Sequence, residues 1–440
     1  MTELAQQALP LADPLAADGD YGHRVVNKVI WRIVPFLMLL FVVNLIDRIN
    51  LSFAALEMNK DLGFTPEVYG FAAGIFFIGY FLFEVPSNLI LAKVGAPIWI
   101  SRIMITWGII SAAMAFTNSS TTFYILRFML GLAEAGFTPG IFYYLAAWVP
   151  AAQRGKVMGT YLMASPGTTV IAAPLSTYLL SFDGIFGLRG WQFMFLAEGI
   201  PAVILGVVAL FYMTKQPADA KWLAPDERTW LEKVIAADNA QALKVGYQDI
   251  WQAMLSGRVL LINALYFCTV IGIYGIGLWL PTIVKSFGLS NMAVGWGVAG
   301  PYLLATITMA IWTRRSDRLG ERRWHLALPA FVATAAFVVS ALLGTQLIAL
   351  IPLAIAAAGI YAVLPLIWTL PNKFLTGLAA AGGIAFINSI GNLGGFVGPY
   401  IVGYIREATG SFTWALMALS LGMFLAGVIA LCLPSGLRNK

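Results

Sequence analysis

The chain has 440 residues, of which 60% are hydrophobic and 11% are charged, and its formal net charge is +6. Soluble domains usually carry about 25% charged residues, so these few charges could not cover a water-soluble body of this size. The composition therefore excludes a soluble enzyme and indicates a protein that lies in a membrane.

The apolar residues are arranged in long, unbroken runs, for example Ile30 to Asn44, Val68 to Phe83 and Trp191 to Met213. A helix crosses a bilayer with about 20 mostly apolar residues and pairs its backbone groups internally, whereas barrel strands have about ten alternating residues. The sequence thus predicts an all-α membrane protein with twelve transmembrane helices. The predicted spans lie near 30–56, 68–91, 99–116, 122–148, 157–182, 191–213, 259–284, 294–312, 325–343, 347–370, 378–404 and 412–433.

A polar segment after the sixth span divides the chain into two six-helix halves. It carries many of the soluble charges, and its amphipathic part lies around Trp222, Trp230 and Leu231. The first 29 residues are polar and lack the apolar core of a signal peptide, so we expect a cytoplasmic tail. The expected parts are a tail at 1–29, a half at 30–214, a linker at 215–257, a half at 258–433 and a tail at 434–440.

The basic residues predict the orientation in the membrane. With the N terminus in the cytoplasm, most lysines and arginines fall in cytoplasmic segments and few in outer loops. The positive-inside rule therefore favours cytoplasmic termini, in the inner membrane of a cell. This asymmetry also explains the net positive charge, so nucleic-acid binding is not needed to account for it.

The two halves share an internal repeat in which six residue pairs are each separated by 225 positions. Both halves begin on the same side, so the repeat is parallel, an arrangement known from one class of secondary transporters. The pairs are Lys60 and Lys285, Gly63 and Gly288, Gly70 and Gly295, Lys93 and Arg318, Gly95 and Gly320, and Trp99 and Trp324.

A charged cluster, Asp47 and Arg48, lies late in the first span, one turn after Asn44. Burying an ionisable residue at a helix centre costs roughly 2.5–3.5 kcal/mol, and such residues usually mark a pathway. Adjacent helical residues point about 100° apart, so one can face a central cavity while the other faces a neighbouring helix. The alternative is that the cluster lies at the outer end of the span, where charges cost little.

A second pair, Arg127 and Glu134, lies on the fourth span. The residues are seven positions apart, which places them on one face and about 10 Å apart along the axis. A nearby arginine and desolvation act in opposite directions on a buried carboxylate, so an arriving anion could change its protonation. The alternative is a pair of ions that only holds helices together.

Glu84, near the inner end of the second span and close in sequence to Lys93 and Arg102, is predicted to belong to a gate or a structural contact. Glu198 in the sixth span is predicted to be structural. Further candidates for substrate contact are less specific, because helix packing explains each of them as well. They are Tyr80, Ser165, Trp368, Asn388 and Asn392, and Asn44 is predicted to contact the substrate as well.

The same segments resemble the anion:cation symporter branch of the major facilitator superfamily, which includes permeases for sugar acids, tartrate, phthalate and aromatic acids. The resemblance covers nearly the whole chain. It rests on the segments Asp47-Arg48-Ile49-Asn50-Leu51-Ser52-Phe53-Ala54, Glu84-Val85-Pro86-Ser87-Asn88, Arg127-Phe128-Met129-Leu130-Gly131-Leu132-Ala133-Glu134-Ala135-Gly136, Leu188-Arg189-Gly190-Trp191-Gln192 and Lys221-Trp222-Leu223.

The resemblance implies that Arg48 anchors a substrate carboxylate. It also implies that Asp47 and Glu134 take protons, and that Arg127 pairs with one of them. Tyr80, Trp368 and Asn388 match positions that line the pocket in the family, and Asp317 with Arg318 resembles its inner-gate motif. Asn44 and Ser165 depart from a tyrosine and a glutamine of several sugar-acid carriers, which leaves a smaller or aromatic carboxylate open.

We therefore expect a monomeric, proton-coupled importer of an organic anion that works by alternating access, with no cofactor other than protons as the coupling ion. An exporter of drugs or metabolites is the first alternative, because the fifth span carries a weak form of the glycine- and proline-rich pattern of exporters. A sensor or an intramembrane enzyme is the second. An enzyme would need a nucleophile or a metal cluster, and the two cysteines and two histidines form none in the sequence.

Overall fold

The computed structural model describes residues 14–244, 254–375, 377–434 and 437. The described part of the chain is almost entirely helical. The helices are α1 (Pro14–Leu62), α2 (Pro66–Val94), α3 (Ala96–Ala113), α4 (Ser120–Glu134), α5 (Phe137–Ala146), α6 (Ala151–Leu180), α7 (Gly190–Tyr212), α8 (Pro225–Lys244), α9 (Gly257–Lys285), α10 (Asn291–Leu319), α11 (Arg323–Leu343), α12 (Leu350–Ile367), α13 (Gly377–Asn392), α14 (Gly394–Thr409) and α15 (Thr413–Leu431).

The described residues form twelve helical spans that cross the body of the protein, as predicted. Ten segments of the described chain are long and apolar enough to cross a membrane, and one of them, Ser120–Ala146, combines α4 and α5. The other two spans are α6 and the pair formed by α13 and α14, which is interrupted at Leu393. The chain is thus an all-α membrane protein with two six-helix halves, α1 to α7 and α9 to α15.

The two faces of the bundle differ in how the halves meet. The face that holds the loops after Leu62, Leu180 and Lys285 is called the far face here, and the face that holds the linker helix α8 is called the terminal face. On the far side, a Cβ on Gly70 of α2 would lie only 2.7 Å from the Pro399 carbonyl oxygen of α14. Because the two backbones approach this closely, the site between the halves is closed toward the far face.

Polar contacts reinforce this closure. The Tyr69 hydroxyl of α2 donates to the Leu278 carbonyl of α9 at 2.6 Å, and its ring lies edge-on to Trp279, with 4.8 Å between the ring centroids. At the end of α1, Glu57 accepts a hydrogen bond from Asn291 of α10 at 2.7 Å. These bonds join the first half to the second and must break if the far side opens.

The fourth span is broken directly after Glu134. Gly136 has a φ of 87°, and its own Cβ position lies 2.3 Å from the Ser87 hydroxyl oxygen, so a side chain has neither the conformation nor the space there. Ser87 donates to the freed carbonyl of Ala135 at 2.7 Å and accepts from Trp99 at 2.9 Å. A serine on α2 thus satisfies the break and fixes the end of α4, where Glu134 lies.

The linker helix α8 is docked against the first half. Its Asp226 accepts a hydrogen bond from Tyr21 at 2.7 Å, and Glu227 pairs with Lys28 at 2.6 Å. Asp238 accepts from the backbone N–H of Ala151, the first residue of α6, at 2.8 Å. The amphipathic part of the linker was expected around Trp222 as well, but Trp222 precedes α8 and stacks on Trp148.

Candidate functional site

Arg48 forms the centre of a polar site in the middle of the bundle. Its Nε donates to Glu134 Oε1 of α4 at 2.9 Å, and its Nη2 donates to the same oxygen. Its Nη1 donates to the Tyr274 hydroxyl of α9 at 2.9 Å, which connects the two halves. The side chain of Arg48 is 15% exposed while that of Glu134 is 2% exposed, so the arginine is the member of the pair that solvent reaches.

Asp47 points away from Arg48, into the first half. Its Oδ2 accepts from Trp107 at 2.6 Å and its Oδ1 accepts from Ser111 at 2.8 Å, both on α3. Asn50 adds a longer bond of 3.3 Å. These three donors satisfy the buried Asp47 carboxylate without an arginine. Asp47 and Arg48 therefore lie in different surroundings, because adjacent residues on a helix point in different directions.

Arg127 does not pair with Glu134 or Asp47, contrary to the expectation. Its Nε donates to the Ala72 carbonyl of α2 at 3.3 Å, and its guanidinium lies 4.9 Å from the centre of the Phe76 ring. Arg48 has taken the carboxylate instead, because Glu134 lies at the end of α4 opposite α1. Arg127 is buried between α2 and α4, where the carbonyl accepts one of its hydrogen bonds and the ring lies against its guanidinium.

Glu84 bridges the halves, although Lys93 and Arg102 were its expected neighbours. Its Oε1 accepts from Asn388 at 2.5 Å and its Oε2 accepts from Ser389 at 2.7 Å, both on α13. Lys93 is exposed at the end of α2, and Arg102 stacks on Trp99 at 3.9 Å. Glu84 is thus held by two donors from the second half, and neither basic residue contacts it.

Aromatic side chains surround the arginine. Tyr80 and Phe76 of α2 lie 5.6 Å and 5.4 Å from the Arg48 guanidinium, measured to the ring centroids. Tyr274 packs on Phe77 with 4.4 Å between ring centroids. Tyr80 lies one turn before Glu84 on α2 and shares its face. The arrangement resembles a cation held in an aromatic cage, with the Tyr274 hydroxyl bonded to it.

Three of the other predicted contacts lie in the second half or bond to it from α6. Trp368 ends α12 and lies edge-on to Tyr266 at 4.9 Å, and Ser165 interacts with Tyr361. Asn388 is the donor to Glu84 described above. Trp368 and Asn388 thus contribute from the second half, and Ser165 bonds to it from α6.

Asn44 and Asn392 are less accessible than expected for substrate contacts. Asn44 is 1% exposed, and its amide has no hydrogen-bond partner within the described residues. It shares the buried face of α1 with Asp47, three positions later. Asn392 is 8% exposed and lies where the chain breaks between α13 and α14. A substrate would need both helices to shift before it could contact either amide.

The expected gate residues at the terminal face make local contacts. Asp317 pairs with Arg322 at 2.5 Å, within the connection between α10 and α11, and Arg322 also donates to Ser316. Arg318 is exposed at the end of α10. In this conformation the pair thus stabilises the turn after α10.

Tyr274, Tyr266 and Ser389 belong to the site but were not predicted from the sequence. Tyr266 and Tyr274 lie eight positions apart, about two turns, so they face the same side of α9. Two tyrosines with this spacing in an apolar span are a sequence feature from which both could have been predicted. No sequence feature indicated Ser389, since a serine beside an asparagine is common in membrane helices.

The site can exchange one anion for another. The guanidinium presents a planar fork that suits a carboxylate, and it now binds the carboxylate of Glu134. An incoming carboxylate would compete with Glu134 for the same guanidinium donors.

Comparison with known proteins agrees with this architecture. The family model described as Major Facilitator Superfamily matches residues 37–399 and 262–437. The "Putative tartrate transporter" of Agrobacterium vitis is 49% identical over 420 residues, 94% of this chain and 92% of that protein. The "Quinolone resistance transporter" of Acinetobacter baumannii is 42% identical over 96% of this chain and 97% of that protein.

Solved structures show the same fold. A crystal structure of a bacterial homologue of the human lysosomal transporter Spinster, in an inward-facing and unoccupied conformation, aligns with a TM-score of 0.77. The alignment covers 94% of this chain and 99% of that one at 15% sequence identity. At this identity the likeness concerns the fold alone.

Proposed function

This chain belongs to the Major Facilitator Superfamily and is a membrane transporter rather than an enzyme, and we propose that it imports an organic anion together with protons. The observation that carries the proposal is the partly exposed Arg48, paired with the buried Glu134 between the two halves. An ionised pair deep among apolar helices is costly, and such pairs typically line the pathway of a transported ion.

The proposed cycle uses competition for Arg48. With the site open to the outside, a proton neutralises Glu134 and a substrate carboxylate takes its place on the arginine. The loaded site then carries no more charge than the empty one, so it can close without exposing an uncompensated charge to an apolar interior. After the halves rock, the substrate leaves and Glu134 loses its proton and returns to Arg48.

Asp47 is proposed as a second proton site. It receives three donors in the present conformation, so it is well satisfied as an anion. Its position next to Arg48 on α1 means that a rotation of this helix would disturb both groups together. The roles proposed for the remaining residues are substrate contact for Tyr80, Trp368, Asn388 and Ser165, and gating for Glu84.

A carboxylate is the proposed substrate because the guanidinium already holds one. The name of the Agrobacterium vitis relative, a tartrate transporter, agrees with this choice. The name of the Acinetobacter baumannii relative, a quinolone resistance transporter, favours the alternative of an exporter. We propose the inner membrane as the location, with both termini in the cytoplasm and the terminal face inside.

Uptake into proteoliposomes tests the proposal. A panel of mono- and dicarboxylates is screened by thermal shift with the purified chain, and each stabilising acid is then supplied radiolabelled to vesicles with an inward proton gradient. We expect gradient-driven accumulation that is abolished by a protonophore and lost in Arg48→Ala. Accumulation only in the opposite direction would support the exporter, and carboxylate flux independent of the gradient would contradict proton coupling.

A further inference from the structure

An exposed arginine at the terminal face lies at the level of the membrane where phospholipid headgroups meet a protein. Arg32 of α1 is exposed, and no charged residue follows it on this helix until Asp47. Beside it, α7 ends at Tyr212, and no charged residue lies between Glu198 and this end. Because the apolar stretches of both helices begin or end here, Arg32 and Tyr212 lie at the border between hydrocarbon and headgroups on the terminal side.

Contacts between α1 and α7 hold the guanidinium of Arg32 in place. It lies 4.0 Å from the centre of the Tyr212 ring, and the Tyr212 hydroxyl donates to the Arg32 carbonyl at 2.9 Å. The Phe36 ring packs on the same tyrosine, with 4.3 Å between the ring centroids. Tyr212 thus joins the two helices and supports the guanidinium with its ring, which leaves the N–H donors of Arg32 to an acceptor from elsewhere.

Arg32 differs from the neighbouring cation of α1 in its partners. Lys28, one turn earlier, pairs with Glu227 of α8 at 2.6 Å, and Asp226 accepts a hydrogen bond from Tyr21. Within the described ranges of the chain, no carboxylate lies within ion-pair distance of Arg32. Its positive charge is therefore available to an anion from outside the protein.

A cleft lies beside this guanidinium, between α1, α5, α7 and the start of the linker. Aromatic rings and polar groups line it together, among them those of Arg32, Phe36, Tyr144, Tyr212, Thr214 and Trp222. Trp31 of α1 is 78% exposed and Phe211 of α7 is 86% exposed. Exposed aromatic side chains at this depth are typical of the membrane interface, so the cleft is bordered by surface on which lipid lies.

We propose that this cleft binds the phosphate group of an anionic phospholipid in the leaflet at the terminal face. The planar guanidinium suits two oxygens of one phosphate. The acyl chains would continue along the exposed apolar side of α7, where Val207 and Phe211 lie one turn apart. A zwitterionic headgroup fits less well, because the carboxylates of Asp226 and Glu227 are already engaged and its ammonium group would find no partner. This site is separate from Arg48, so the inference does not depend on the proposed substrate.

Fluorescence quenching beside the cleft tests the proposal. A fluorophore is attached at Val207→Cys in the full-length chain carrying Cys268→Ala and Cys432→Ala, and the labelled protein is reconstituted into phosphatidylcholine vesicles. A small fraction of the lipid carries a nitroxide on an acyl chain and is either phosphatidylglycerol or phosphatidylcholine. Comparing the quenching by these two lipids gives the relative association constant of the anionic lipid at this position.

Three variants separate the cleft from general surface charge. Arg32→Gln removes the proposed anchor, and Arg32→Lys keeps its charge but loses the planar fork. Arg24→Gln is the matched control, because Arg24 is also an exposed arginine of α1 that lies over a tyrosine ring, at 5.9 Å from the centre of Tyr21, but it does not line the cleft.

We expect phosphatidylglycerol to associate with the wild-type chain at least about fivefold more strongly than phosphatidylcholine, the factor that one arginine near the membrane surface contributes. Arg32→Gln should abolish this preference, Arg32→Lys should weaken it, and Arg24→Gln should retain it. Equal association of the two lipids with the wild-type chain would overturn the proposal, as would a preference that survives Arg32→Gln or is lost equally in Arg24→Gln. Full preference in Arg32→Lys would mean that charge alone attracts the lipid and would refute a built site. Loss of the preference when inorganic phosphate is added at constant ionic strength would show that a free anion occupies the cleft instead.

Discussion

Replacing Glu134 by glutamine removes the charge that Arg48 now binds while keeping the size of the side chain. If substrate and Glu134 compete for the arginine, this variant should bind carboxylates more tightly than the wild-type chain. It should also lose accumulation driven by a proton gradient, because the group that exchanges the proton is gone. Tighter binding together with lost coupling distinguishes competition from simple damage to the site.

The magnitude follows from the contacts of the pair. Arg48 donates two hydrogen bonds to one oxygen of Glu134, and hydrogen bonds to charged groups contribute about 1.5–3 kcal/mol. Arg48 is 15% exposed, so water screens part of this energy and one such contribution is a fair estimate for the whole pair. In Glu134→Gln the substrate no longer has to displace a carboxylate from Arg48, so its binding free energy becomes more favourable by this amount. The Kd should therefore fall about ten- to a hundredfold.

Two measurements check the prediction. Calorimetry with the carboxylate found in the thermal-shift screen gives the Kd of the wild-type chain, Glu134→Gln and the control Glu198→Gln at about pH 8, where carboxyls are ionised. Proteoliposome assays then compare gradient-driven uptake with counterflow, which needs no net proton movement. A folded Glu134→Gln chain with unchanged or weaker binding would refute the competition, and unchanged gradient-driven uptake would refute the coupling role.

Three further outcomes are expected. Arg48→Lys should weaken carboxylate binding about tenfold or more in calorimetry, because a point charge lacks the planar fork; binding within twofold of wild type would contradict the anchoring role. Gly136→Ala should destabilise the chain by about 1–3 kcal/mol, visible as a lower Tm, since its φ of 87° strains a side chain, whereas Gly155→Ala, with open space around it, should not. The hydrogen bond from Tyr21 holds the pKa of Asp226 below its usual range. Docking of α8 is therefore favoured above the unfolded-state pKa of about 3.9 and weakens as the pH falls through the lower folded value. Fluorescence of a probe on α8 should report this release, and Asp226→Asn should reduce its pH dependence to the part contributed by Glu227 and its partner Lys28.

Composition and periodicity were sufficient to predict the helices, because lipid leaves the backbone few alternatives. Runs of about 20 apolar residues must form helices, and the repeat of 225 positions indicates two similar halves. The break after Glu134 was not predicted. Its cause is a contact between α4 and Ser87 of α2. A contact between two helices cannot be predicted from the sequence of one of them.

The candidate site also shows that contacts between helices are harder to predict than the geometry of one helix. The different directions of Asp47 and Arg48 follow from the geometry of a single helix and could be predicted. The expected ion pair of Arg127 was wrong, because the choice between two arginines for one carboxylate depends on how α1, α2 and α4 pack. Tyr274 was missed for a related reason: its importance comes from facing Arg48 across the boundary between the halves.

The unequal roles of the two halves suggest how binding could drive movement. The first half supplies the ionisable groups Arg48, Glu84 and Glu134, while the second supplies neutral partners to Arg48 and Glu84, namely Tyr274, Asn388 and Ser389. Neutral partners bind a charged group more strongly than an uncharged one. In the proposed cycle, protonation or substrate binding in the first half would therefore change the strength of the bonds between the halves. Since these bonds cross the boundary at which the halves must rock, a change of charge on one side is converted into a change in how firmly the two halves hold each other.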